Sequence, residues 1–179
     1  MLEQNAVGRV RVSGRLWKGR RRERPHKSRT EPSRGEGNRR AATQVTKRVL
    51  IVDDQPRVLD VLREILASFQ HPHVYEITTT PSVLDALAIL QRERFDLILL
   101  DMVIPGIGDP LLRRQGLDLL KRIRELGVNA PVLMISGDYE RLKEADALSE
   151  GAFAYLHKPF DVRELDRLVA QALASTTGS

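Results

Sequence analysis

The chain has 179 residues, 41% of them apolar and none of them cysteine. That suffices for one ordinary domain with a tail, and it excludes disulfides, thiol nucleophiles and cysteine-based zinc sites. The net charge of +5 averages two unlike parts: residues 1–48 carry fifteen Lys/Arg against four Asp/Glu, and residues 49–179 carry fourteen against twenty.

Residues 1–46 read as a basic arm. The stretch GRLWKGRRRERPHKSRTEPSRGEGNRR is rich in Arg, Gly, Ser and Pro and has no apolar periodicity, so disorder is expected. Three readings of the arm stay open. Its Arg cluster could bind nucleic acid or an anionic surface, with Trp17 and Arg20 to Arg22 as a stacking platform; this reading carries the least weight. It could be a solvated tail without a role, or a translated stretch upstream of the true start codon. The arm is too basic and too broken for a secretory leader, and no run of eighteen apolar residues marks a membrane span. A cytoplasmic protein without a membrane partner is the expectation.

Residues 47–175 read as one domain, because punctuation becomes regular from Lys47 on. Arg48 to Val52 is a short apolar run, as a strand buried on both faces would show. Pro56 opens a helix with Val58, Leu59, Leu62, Ile65, Leu66 and Phe69 at helical spacing. Residues 73–78 read as a strand, and Thr80-Pro81 as the cap and first residue of a helix carrying Val83 to Leu90. FDLILLD is a buried strand ending in Asp101. A helix over 116–126, a strand from Pro131 to Ile135, a weaker helix over 139–149, a strand from Phe153 to Leu156 and a helix over 161–174 complete the pattern. Five β-α repeats predict a parallel sheet with helices on both faces, and a ligand site beyond the carboxyl ends of its strands.

Those ends carry chemistry. The first predicted strand delivers Asp53 and Asp54, the third Asp101, the fourth Ser136 and the fifth Lys158. Adjacent acids at the end of an apolar run repel each other and lose hydration, so a cation is expected beside them. Three carboxylates without Cys or His form a hard oxygen site suited to Mg²⁺. An ammonium and a hydroxyl beside it suit phosphoryl oxygens, and a carboxylate in reach can be phosphorylated. Taken singly, each acid reads as a helix cap, Ser136 as another, and Lys158 as a solvated side chain. Four of five strands carrying the needed type at the needed end argue for the joint reading.

The motifs VLIVDDQP, LILLDMVIPG, MISGD and AYLHKPF, in that order, resemble the receiver domain of two-component response regulators. The resemblance implies a flavodoxin-like fold with strand order 2-1-3-4-5 and a signalling role rather than an enzyme's. It implies that Asp101 accepts phosphate from a histidine kinase or phosphotransfer protein. Asp54 would be a direct Mg²⁺ ligand and Asp53 would act mainly through water. The backbone carbonyl of Val103 would complete the set. Lys158 would contact phosphate, and Ser136 and Tyr155 would be the switch pair. Output would pass to a protein target through the face of the fourth helix, fifth strand and fifth helix, since the chain ends just after that helix.

The sequence departs from the family in the connection after Pro105, which is longer than usual before Gly116 and leaves the entry to the third helix open. Val103 is apolar where many relatives are polar, and Asp138 lies near Ser136; slow loss of phosphate is expected from Val103. An aspartyl-phosphate phosphatase is the alternative from the enzyme class. It usually wants its second acid two residues after the nucleophile, and Asp53-Asp54-Gln55 lacks that spacing.

Overall fold

The computed structural model of the chain describes residues 8–13, 45–104, 115–137 and 141–176. Six strands form one sheet: β1 (Gly8–Ser13), β2 (Thr46–Val52), β3 (Val74–Thr80), β4 (Leu97–Asp101), β5 (Val132–Ser136) and β6 (Ala154–His157). Five helices accompany them: α1 (Pro56–Ser68), α2 (Val83–Arg92), α3 (Gln115–Glu125), α4 (Arg141–Ser149) and α5 (Val162–Ser175).

The sheet order is β1-β3-β2-β4-β5-β6. Without β1 it is the expected 2-1-3-4-5 of a doubly wound flavodoxin-like sheet, with every pairing from β3 to β6 parallel. The first strand is a correction to the expected arm of 1–46. Residues 8–13 are not irregular but lie antiparallel along β3, Gly8 opposite Thr79 and Ser13 opposite Val74. Trp17 and Arg20 to Arg22 lie outside the described residues, as do Asp138 and most of the connection after Pro105.

The continuous apolar runs of β2 and β4 follow from burial on both faces. On one face Val49, Ile51, Ile77, Leu97, Leu99 and Leu133 pack against Leu59, Leu62 and Leu66 of α1 and Leu165, Val169 and Ala172 of α5. On the other, Leu50, Val52, Ile98, Leu100 and Met134 meet Ala86 and Leu90 of α2 and Leu119, Leu120 and Ile123 of α3. Each such Val, Leu, Ile or Met side chain contributes about 1.5–3 kcal/mol by leaving water.

Local signals fix the helix starts. Pro56 begins α1, and Asp161 caps α5 by accepting from the Arg163 backbone N–H at 2.7 Å. The cap of α2 is Ser82, accepting from the Asp85 N–H at 3.3 Å, and not Thr80. Thr80 is the last residue of β3, held there by pairing opposite Val52. The third helix enters at Gln115. Its next residue, Gly116, has no room for a side chain: a Cβ there would stand 2.1 Å from the Asp101 carbonyl oxygen and 2.7 Å from Met102 Cα.

Candidate metal and phosphoryl site

Parallel pairing brings the carboxyl ends of β2, β4, β5 and β6 to one edge of the sheet. Asp53 and Asp54 follow β2 directly, Asp101 ends β4, Ser136 ends β5, and Lys158 follows β6. Asp53, Asp101 and Ser136 are buried, at 2%, 4% and 0% exposure.

Asp101 is held through both oxygens: Oδ1 accepts from Lys158 Nζ at 2.9 Å and Oδ2 from the Val103 backbone N–H at 3.1 Å. Asp53 is held likewise. Its Oδ2 accepts from the same Lys158 ammonium at 2.8 Å and its Oδ1 from the Gln55 N–H at 2.9 Å, while its own N–H donates to the Thr80 carbonyl at 3.3 Å. Lys158 is fixed through its backbone, whose N–H donates to the Ser136 carbonyl at 2.7 Å. The Lys158-Pro159 peptide bond that follows is cis.

Asp54 differs from its neighbour: its Oδ1 is buried and has no hydrogen-bond partner. One oxygen from each of Asp53, Asp54 and Asp101 lies within 4.8 Å of the others. Burial, and then the adjacent Asp53 charge, push the Asp54 carboxyl above the usual carboxylate range. Burial also pushes Asp101 up, against the opposing hydrogen bond and charge of Lys158. Burial pulls the Lys158 ammonium down, but Asp101 and Asp53 outweigh it and the net shift is upward. The site therefore carries more buried negative charge than one lysine satisfies. An all-oxygen donor set with one buried bare oxygen fits a hard divalent cation such as Mg²⁺.

Every predicted residue falls at or beside this edge. Tyr155 sits one turn of chain below it on β6, 8% exposed within the core shared with α3 and α4, its ring 5.0 Å from that of His157. Val103 meets the site through its N–H. Sequence reasoning missed the Thr80 carbonyl and the Gln55 N–H that hold Asp53, which are backbone groups and leave no residue-type signal.

Residues 49–170 match the family model for the response regulator receiver domain. Sporulation initiation phosphotransferase F of Bacillus subtilis (strain 168) is 32% identical over 131 residues, covering 72% of this chain and 95% of that protein. Response regulator protein PilR of Pseudomonas aeruginosa is 37% identical over 128 residues, 71% of this chain and 26% of its own length. DNA-binding transcriptional regulator NtrC of Azospirillum brasilense is 32% identical over 72% of this chain, and the chain spans 24% of that regulator. A putative response regulator from Chloroflexus aurantiacus J-10-fl superposes with a TM-score of 0.60 at 30% identity, covering 72% of this chain and 98% of that one. The CheY-like receiver domain protein from Methanospirillum hungatei JF-1 gives 0.62 at 28%, covering 73% and 95%.

Proposed function

The chain belongs to the family of response regulator receiver domains, and we propose that it is switched by phosphorylation of Asp101. The observation that carries the proposal is the convergence of Asp53, Asp54 and Asp101 on one point with Lys158 bridging two of them.

Mg²⁺ would be held by Asp54, whose Oδ1 has no hydrogen-bond partner, by Asp101 and by the Val103 carbonyl, with Asp53 acting mainly through water. Bound there, it would offset the charge of the acids and of the incoming phosphoryl oxygens. The donor is a histidine kinase or phosphotransfer protein carrying a phosphorylated imidazole. An Asp101 carboxylate oxygen bonds to phosphorus as the nitrogen–phosphorus bond breaks, and the electron pair stays on the imidazole nitrogen. The product is an acyl phosphate. Val103 N–H and Lys158 orient the carboxylate, and Lys158 is placed to follow the phosphoryl charge.

Phosphorylation replaces the single charge of the Asp101 carboxylate by a phosphoryl group of about −1.5 to −2, extended toward Ser136 and Lys158. Those residues end β5 and begin the β6–α5 connection, and both belong to chains leading into α4, β6 and α5. A shift of Ser136 and Lys158 toward phosphate repacks Tyr155 and alters the α4-β6-α5 face read by a protein target. Beryllofluoride with Mg²⁺, followed by backbone NMR, tests this reading. Amide shifts at Ser136, Tyr155 and along α4 and α5 are expected; shifts confined to Asp53, Asp54 and Asp101 would refute the switch.

A further inference from the structure

The strand β1 is held in a way that the signalling site does not explain. All six of its residues pair with β3, from Gly8 opposite Thr79 to Ser13 opposite Val74. The Gly8 carbonyl accepts from the Thr79 hydroxyl at 3.3 Å. Gly8 also sits where a side chain would meet Arg63 of α1 at 2.2 Å and Thr79 at 2.8 Å. Charges alternate with the apolar residues: Arg9 pairs with Glu93 at 2.7 Å, and Arg11 with Glu76 at 3.6 Å. The β3 edge is thus built for an extended basic strand in one register.

What holds that strand is nearly all backbone pairing and surface charge. Val10 is 40% exposed and Val12 only partly buried. Ion pairs as exposed as Arg9 and Arg11 contribute little each. By contrast, β3 reads VYEITTT, a strand former whose outer N–H and C=O groups, left to water, would be open to pairing with another chain. A weakly held strand on an edge open to pairing is suited to trading.

Chain connection permits it. Thirty-two residues, 14–45, join β1 to β2. At up to about 3.3 Å per residue they span as much as about 100 Å, several times the width of the sheet. Ser13 and Thr46 both lie opposite Val74, so β1 ends and β2 begins at the end of the sheet away from the acids.

We propose that the outer edge of β3 is a strand-docking site whose occupant is exchangeable, and that two copies of this chain pair by seating each other's β1. Every contact of β1 is remade in the exchanged pair, so the balance between one chain and two is set by the tether alone. For a tether of this kind the effective concentration is on the order of 1 mM, so the chain is monomeric when dilute and paired when crowded.

The absence of cysteine makes the test direct. The full chain is made with Arg11→Cys, with Glu76→Cys, and with both, at positions that face each other in the register. The double variant, oxidised when dilute, is expected to close a bond within one chain. Equal amounts of the two single variants, oxidised together at about 1 mM, are expected to give the mixed disulfide in several-fold excess over either homodimer. Dilution to about 0.1 mM is expected to lower the fraction paired about three- to fourfold. A mixed product in no more than the roughly twofold excess over either homodimer that random pairing at about 1 mM gives would overturn exchange even if the double variant closes. Failure of the double variant to close would overturn the docking of β1 itself.

Discussion

The ammonium of Lys158 lies 2.9 Å from the Asp101 carboxylate, a contact between residues 57 positions apart that only the parallel order of β4, β5 and β6 could bring together. The same ammonium lies 2.8 Å from Asp53. One lysine therefore spans the two buried acids, and its removal should expose how the site is balanced. Lys158→Ala leaves two buried carboxylates without their counter-charge, at a cost of about 3 kcal/mol. Urea denaturation in EDTA is expected to show that loss, and saturating Mg²⁺ to recover part of it. An unchanged midpoint would mean that Lys158 does not balance the acids.

Asp54 and Asp101 have carboxyl groups raised above their ordinary range, chiefly by burial. For a raised carboxyl the folded state favours the protonated form. The stabilising contribution is present below the unfolded carboxyl range and is lost as pH rises through the raised values. At neutral pH the metal-free fold thus bears the cost of charged, crowded acids. Asp54→Asn is expected to raise the melting temperature in EDTA by about 2–4 °C at neutral pH, on the order of 1 kcal/mol. The gain should shrink toward pH 4, and the variant should lose Mg²⁺ affinity. A variant less stable than the parent in EDTA at neutral pH would contradict this electrostatic account.

Gly116 touches the backbone of the acceptor residue. A Cβ at that position would stand 2.1 Å from the Asp101 carbonyl oxygen, and its N–H donates to the Met102 carbonyl at 3.2 Å. Gly116→Ala is expected to lower stability by about 2 kcal/mol or more and to shift the amide resonances of Asp101 and Met102. A silent alanine would show that α3 can retreat without moving the acceptor.

Val103 presents an apolar, partly exposed side chain beside Asp101. It offers no hydrogen bond to a water approaching the phosphorus. Val103→Asn is expected to speed loss of phosphate several-fold, read as the decay of the phosphorylated form by mass after the donor is removed. Equal rates would remove Val103 from the account.

The parallel core and its site were legible because both depend on residue type. Apolar runs such as Val49 to Val52 and Leu97 to Leu100 mark doubly covered strands, and their carboxyl ends name the acids, the serine and the lysine. What escaped depends on context. Thr80 and Ser82 are equally good caps by composition, and only the length of the β2–β3 pairing assigns Thr80 to the strand. The strand at 8–13 did carry a signal, the alternation Arg9-Val10-Arg11-Val12, but it spans few residues inside a basic segment whose average composition masks it. Its ion pairs with Glu76 and Glu93 are long-range and cannot be read along the chain.

The most direct measurement is phosphorylation by acetyl phosphate, mapped by mass to a residue. With Mg²⁺ the chain is predicted to gain one phosphoryl group on the peptide containing Asp101, and none in EDTA or in Asp101→Asn. A chain that stays unmodified with saturating Mg²⁺, or one still modified after Asp101→Asn, would contradict the assignment.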